Sequence, residues 1–288
     1  MPLPSGLPVV DHHCHLSPTG EGVAAAARFR SAGGTHLFLA TQNYAGRVPT
    51  TIEQYRDQFE TTERLAHRVR ESTGVVVYPV VAPYPIDLVH AAPILGLESA
   101  LELHRRGLDL AGEWVREHRA VALGEVGRPH FPVSDELAAA ATDAFRHALA
   151  LAREVGCPAV VHCADLDPAG VRALAEEGRQ AGLRPGQIVK HYARSRFTPG
   201  DASTVVPSYL ARRDLVREVI ADPAPWFLET DFLDDPARPG AVLDLETVPR
   251  RAAAIADAGT SERLWTPFVE AIERVYGWRP EVGGGGPT

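Results

Sequence analysis

The sequence predicts a TIM-type (β/α)8 barrel. Three observations carry that expectation. Short apolar, β-branched runs alternate with helical stretches through eight units. The length of 288 residues is ordinary for one such barrel. Metal-capable side chains end five of the predicted strands, at the edge where barrels of this kind build their sites. Alternation at this spacing implies a mainly parallel sheet with helices outside. An open doubly wound sheet is the alternative fold, but no Gly-x-Gly-x-x-Gly follows the first strand, which weighs against a dinucleotide site. We expect one domain over residues 1–280 and a flexible glycine-rich tail over 281–288.

The elements follow in order. The first strand runs from Val9 to His15, where two β-branched residues lead into Asp11, His12, His13, Cys14 and His15. Alternation puts Asp11, His13 and His15 on one face and His12 and Cys14 on the other. Ser17-Pro18-Thr19-Gly20 marks a turn, Glu21 to Arg30 a short alanine-rich helix, and Gly33-Gly34 its end. Thr35 to Ala40 is the second strand. An irregular stretch, 41–50, leads to a long polar helix from Thr51 to Ser72. Val75 to Val81 is nearly continuous in apolar residues, as a strand buried on both faces must be, and Pro83 and Pro85 stop it. Helical material interrupted at Pro93 fills 87–118, and Ala120 to Glu125 is the fourth strand. Ser134 caps a helix from Asp135 to Val155, with Gly156 past its end. Pro158 to His162 is the fifth strand. Asp167-Pro168 opens the next helix, cap then proline, and Gly182 closes it. Gln187 to His191 is the sixth strand. The seventh is expected in Ser203 to Val206, with helix over 208–221. Trp226 to Asp231 is the eighth, followed by a long loop and helical segments ending near Tyr276.

Composition narrows the function. Hydrophobic residues make up 45%, enough for a sizeable core. The formal net charge of −8 argues against binding DNA through a broad basic surface. Three cysteines, Cys14, Cys157 and Cys163, form no disulfide framework and fit a reducing compartment. The amino-terminal stretch lacks the basic and apolar regions of a signal peptide, and no apolar run approaches membrane-spanning length. The expectation is a soluble cytoplasmic protein with a small-molecule or nucleic-acid substrate, no membrane and no obligate protein partner.

The chemistry lies at the strand ends. The first strand ends in His13 and His15, the fourth in Glu125 within Gly124-Glu125-Val126-Gly127, the fifth in His162, the sixth in His191 and the eighth in Asp231. Val160 shares a face with His162, Val189 with His191, and Phe227 and Glu229 with Asp231. One strand-end histidine is ordinarily a hydrogen-bonded surface residue, but scattered acids and histidines seldom reach the mouths of five strands together. Four histidines and two carboxylates exceed one tetrahedral zinc and suit two divalent ions sharing Glu125. Imidazole-rich ligation favours zinc, with manganese, nickel and magnesium as alternatives. Asp231 is expected to hold one ion, to take a proton from the attacking water and to return it to the leaving group. Glu125 is the second catalytic carboxylate, and Glu229 is placed to orient a ligand or substrate from behind. Parity turns Lys190, the chain's single lysine, away from His191, and Cys14 and Cys163 away from the adjacent ligands.

These motifs resemble the TatD-like hydrolases of the amidohydrolase superfamily. The matching stretches are Asp11-His12-His13-Cys14-His15-Leu16, Gly124-Glu125-Val126-Gly127, Val160-Val161-His162, Val189-Lys190-His191 and Leu228-Glu229-Thr230-Asp231. They come in family order from residue 9 to about 231. The resemblance implies a TIM-type barrel, divalent metal at these ligands, and hydrolysis. Well-studied members of that family are metal-dependent DNases, and others in the broader group act on aminoacyl-tRNA. The flanks depart from the nuclease pattern. Arg128-Pro129-His130-Phe131 stands where Leu-Asp is usual, and Tyr192-Ala193-Arg194-Ser195 where Cys-Phe-Ser-Gly is usual. This variant resembles an archaeal-type TatD-related branch.

The altered loops supply candidate substrate contacts. Arg128, His130, Arg194 and Arg196 suit a phosphate or carboxylate. Asp165 suits a hydroxyl or amine, and Tyr44 and Phe232 suit stacking. The first expectation is metal-dependent phosphodiester hydrolysis of the DNase kind. The alternative is hydrolysis of an amide, ester or lactone in a small molecule or in aminoacyl-tRNA, and a non-catalytic metal-binding module is the reading from another class. Nucleic acid predicts a positive trough around the metals. A small substrate predicts a closed pocket roofed by Thr41–Thr50 and Phe232–Val248.

Overall fold

The structure is a computed structural model that describes residues 3–280. The glycine-rich tail expected at 281–288 lies outside the described residues. Nine strands are found among them: β1 Val10–His15, β2 His36–Ala40, β3 Val76–Val81, β4 Ala122–Gly127, β5 Ala159–His162, β6 Ile188–Ala193, β7 Val205–Leu210, β8 Phe227–Glu229 and β9 Phe232–Leu233. All pair in parallel, in the order β8-β7-β6-β5-β4-β3-β2-β1-β9. β8 falls within the expected eighth strand, Trp226 to Asp231, and β9 lies just beyond it, parted from β8 by Thr230 and Asp231. β8 pairs with β7, and β9 pairs with β1 through Cys14↔Phe232 and His15↔Leu233. The Asp231 amide also donates to the His13 carbonyl at 2.9 Å. The sheet therefore closes on itself, and the fold is a TIM-type barrel.

The helices return the chain between strands. They are α1 Val23–Ser31, α2 Ile52–Thr73, α3 Pro85–Leu95, α4 Leu97–Arg116, α5 Asp135–Val155, α6 Pro168–Gln180, α7 Pro199–Ala202, α8 Arg213–Val219, α9 Thr247–Asp257 and α10 Ala271–Tyr276. Local chemistry sets their ends. Ser134 accepts from the Leu137 amide at the start of α5, and Gly156 at its end takes φ 76°. Asp167 accepts from the Gly170 amide at 2.7 Å, ahead of Pro168 at the first position of α6.

Two expectations are corrected. The helical stretch 87–118 breaks at Gly96, with φ 82° and ψ 148°, and Pro93 sits inside α3. A proline late in a helix forfeits one amide, whereas glycine reaches a positive φ without steric cost. Residues 208–210 extend β7 and are not helical; Ser208 pairs with Phe227 and Tyr209 with Ala193 and Leu228. Pairing on both edges and burial on both faces outweigh local propensity there.

Apolar residues pack in two layers. Val80 and Val160 point into the barrel, where a Cβ on Gly124 would come within 2.7 Å of each. Leu37, Leu39, Val75 and Val77 pack outward with Ala25 and Phe29 of α1 and Leu65 of α2. An aromatic cluster fills the barrel interior behind the strand ends. His12 stacks on Phe227 with centroids 3.8 Å apart, its Nε2 lies 2.9 Å from Tyr276 Oη, and Trp278 packs on Tyr78 at 4.6 Å.

Candidate active site

Each strand that delivers a functional side chain is irregular at that residue, except β5. In β1, Asp11 pairs with Leu37 and Cys14 with Leu39, so His12 and His13 together oppose Phe38. That is a β-bulge, and it resets the alternation. His12 and His13 both turn inward, which corrects the expected grouping of Asp11, His13 and His15. Asp11 instead accepts from Thr230 Oγ1 at 2.6 Å, the Thr230 amide at 3.1 Å and the His13 amide at 3.2 Å. In β4, Glu125 is the extra residue between Gly124↔Val160 and Val126↔Val161. In β6, His191 and Tyr192 intervene between Lys190↔Pro207 and Ala193↔Tyr209, with Tyr192 at φ 54°. Asp231, at φ 48°, breaks the last strand. Gly127 closes the motif of β4 because a Cβ there would meet the His162 carbonyl oxygen at 2.0 Å.

These irregularities bring the six predicted residues together. His13 Nε2 lies 3.2 Å from His15 Nε2, and both lie within 3.8 Å of Asp231 Oδ1. His162 Nδ1 lies 3.1 Å from His191 Nε2. Glu125 sits between the pairs: Oε1 is 2.6 Å from His191 Nε2 and 3.0 Å from His162 Nδ1, and Oε2 is 3.7 Å from His15 Nε2. Two ring nitrogens at such distances share at most one proton, so lone pairs are left facing the centre. Among the described residues, three groups could hold a metal ion: His13, His15 and Asp231; Glu125, His162 and His191; and His13, His191 and Glu229. A donor set of converging imidazole nitrogens and carboxylate oxygens fits borderline divalent cations.

Burial and neighbouring charge compete across this centre. Burial drives His13 well below the ordinary imidazole value, and His191 adds to it. Burial acts the same way on His191, but Glu125 and Glu229 outweigh it and raise that ring to about 10. Burial opposes ionisation of Glu125, yet His191 and His162 hold it well below the carboxylate range. Burial raises Glu229, with His191 opposing. Its Oε1 accepts from the Tyr192 amide at 2.6 Å and lies 3.6 Å from His191 Nδ1, so it stands behind the ligand cluster.

A cavity of about 1080 Å³ opens over the cluster. His15, Glu125, His162, His191 and Asp231 form its floor. Thr41, Gln42, Asn43 and Tyr44 form one wall, and Leu233, Pro236, Arg238 and Val242 another. Of the predicted substrate residues, Tyr44, His130, Asp165 and Arg194 line it. Arg194 Nε donates to Asp165 Oδ2 at 3.0 Å. Arg128 does not line it. Its guanidinium donates to Glu177 at 2.8 Å and Thr142 at 3.2 Å and lies over the Phe145 ring, so it pins β4 to α5 and α6. Arg196 is likewise spent on Asp222. Phe232 is buried outside the barrel with Cys14 and Leu245 and does not stack over the cavity, whereas Cys163 packs against the apolar core and also borders the cavity.

Sequence reasoning missed Tyr84, Arg238 and Asp234. Asp234 accepts from the amides of Ser17, Glu21 and Gly22, each at 2.8 Å, and ties the loop after β9 to the start of α1. Its only sequence signal is position, three residues after Asp231.

The family described as TatD related DNase matches residues 10–277. The uncharacterized protein MJ1127 of Methanocaldococcus jannaschii is 28% identical over 281 residues, which is 96% of this chain and 98% of that one. The crystal structure of a TatD-like protein from Archaeoglobus fulgidus superposes with TM-score 0.61 at 15% identity, covering 93% of this chain and 100% of the other. That of the TatD homolog YJJV from Escherichia coli gives 0.57 at 18% identity, covering 93% and 98%. A PTE-like lactonase of Deinococcus radiodurans, in mutant form, gives 0.58 at 15% identity, covering 95% and 96%. At these identities the solved structures speak for the fold, and the family match carries the assignment. The chain belongs to the TatD-related DNase family and is a metal-dependent hydrolase.

Proposed function

We propose that this hydrolase acts on an ester, lactone or amide bond of a small molecule taken into the cavity. One observation carries the reading. The two arginines that line the cavity are each neutralised by a cavity aspartate, Arg194 by Asp165 and Arg238 by Asp235, whose Oδ2 lies 2.8 Å from Arg238 Nε. The remaining charged side chains there include Glu125, Asp231 and Asp234. Such a lining offers no basic track for a polyphosphate backbone, which nucleic-acid binding relies on. Segments 41–46 and 233–242, expected to roof a small-substrate pocket, wall this cavity.

In this reading His13, His15 and Asp231 hold one divalent cation, and Glu125, His162 and His191 hold a second, with zinc the best match to the donors. A cation held there supplies a Lewis acid that polarises the scissile group and acidifies water. The chain's own residues do the rest. Asp231 is 16% exposed against 6% for Glu125, so its carboxylate is the more open of the two on the cavity floor. It takes the proton of the attacking water and returns it to the leaving atom. Thr41, Gln42 and Asn43 offer neutral hydrogen-bonding groups that orient the substrate. Phosphodiester cleavage is the second reading, and the family match favours it.

The test is a panel of lactones, esters and amides beside single-stranded and duplex DNA, run with metal-defined protein and Asp231→Asn. Turnover of a small substrate that falls at least ~100-fold in the variant, with the thermal midpoint kept, is expected. Metal-dependent DNA cleavage that vanishes in the variant, with every small substrate untouched, reverses the order of the two readings.

A further inference from the structure

His162 is engaged at both ring nitrogens. Nδ1 faces Glu125 Oε1 at 3.0 Å and His191 Nε2 at 3.1 Å. Nε2 points the other way, to His130 Nδ1 at 2.8 Å and, more weakly, to Tyr84 Oη at 3.4 Å. His130 belongs to Arg128-Pro129-His130-Phe131, the segment where this chain departs from the usual family pattern. That segment is docked on His162 through its backbone as well. The Arg128 amide donates to the His162 carbonyl at 3.1 Å, and Gly127 leaves no room for a side chain against that same carbonyl. Phe131 braces the His130 ring edge-on, with centroids 5.2 Å apart.

We propose that His130 is a positioning residue of the metal centre. It accepts a hydrogen bond from His162 Nε2–H and so keeps Nδ1 bare toward the cation. The inference rests on His162 being a ligand, as in the reading above. Two imidazole nitrogens 2.8 Å apart share one proton. With His162 as donor, its Nδ1 is a lone pair aimed at Glu125 and His191. With His130 as donor, the His162 proton moves to Nδ1 and is spent on Glu125. His130 is exposed, so it keeps its own proton on Nε2 at the solvent side without a burial cost. Fixing a ligand's tautomer through its outer nitrogen characteristically governs metal affinity.

The experiment strips the wild-type protein, His130→Ala, His130→Gln and Tyr84→Phe of metal. Each is titrated with zinc against a chromophoric chelator, and its visible spectrum is recorded with cobalt. The wild type is expected to bind zinc, and His130→Ala to lose ~10–100-fold in affinity for one equivalent with an altered cobalt spectrum. His130→Gln, whose amide oxygen accepts from Nε2–H, recovers most of the loss, and Tyr84→Phe changes affinity less than His130→Ala. Wild-type affinity and spectrum in His130→Ala overturn the positioning role and leave the ligand set standing. A wild-type protein that binds no zinc overturns both.

Discussion

At the residue scale, Asp87 and His104 pull stability in opposite directions with pH. Asp87 lies in the first turn of α3, where Oδ2 accepts from the Tyr84 amide at 3.2 Å, and burial raises it to about 7. The unfolded chain releases that proton near pH ~4. Its contribution is therefore complete below that value and lost as pH rises through about 7. Burial lowers His104 to about 4, with His147 adding to it. Its contribution is present above the unfolded value of ~6.5 and lost as pH falls through about 4. Asp87→Asn keeps an acceptor for the Tyr84 amide and removes one slope. Its stability should climb more steeply from pH ~4 to ~7 than that of the wild type, by up to about 4 kcal/mol across the window. Urea unfolding at both ends measures this, and parallel profiles would mean that Asp87 ionises as freely folded as unfolded.

At the element scale, strand ends were legible, and strand faces were legible where the ladder is regular, as at Val160 and His162, but not at a bulge. His13, His15, Glu125, His162, His191 and Asp231 could be read because each follows an apolar run that can only be a buried strand. Alternation failed at His12 because a bulge is set by the ladder with β2, a pairing that no local pattern in β1 announces. The arginines of the altered loops could not be assigned, since Arg128 answers to Glu177 and Phe145, residues from two other helices. The loop after β9 was unreadable for the same reason. Asp234 is buried and gathers three amides from the far end of the chain. Asp234→Ala leaves those donors without their carboxylate and should cost roughly 3 kcal/mol. Residues 235–245 should then become a preferred site of limited proteolysis. A cleavage pattern and thermal midpoint equal to the wild type's would show that this clamp does not hold the loop.

At the scale of the molecule, the barrel closes where the candidate centre straddles its seam. β1 and the β8–β9 strand lie more than 200 residues apart in sequence, and named hydrogen bonds join them. Asp11 accepts from the Thr230 side chain and amide, Asp231 donates to the His13 carbonyl, and two residue pairs of β9 join β1. The first triad crosses this junction, with His13 and His15 on one side and Asp231 on the other. A cation held there links the first strand to the last, so its removal should act on the whole fold. At free metal ~100-fold above the dissociation constant, binding adds about 2.7 kcal/mol. For a chain of 288 residues that corresponds to a midpoint lowered by roughly 4–5 °C on chelation and restored by zinc. Hydrogen exchange tells where the loss falls. The amides of Thr230 and Asp231 should quicken more on metal removal than those of Val77 and Tyr78 at the β2–β3 pair, away from the seam and from the candidate ligands. Equal exchange at both places, with elemental analysis confirming that the metal is gone, would mean the barrel closes through its hydrogen bonds alone.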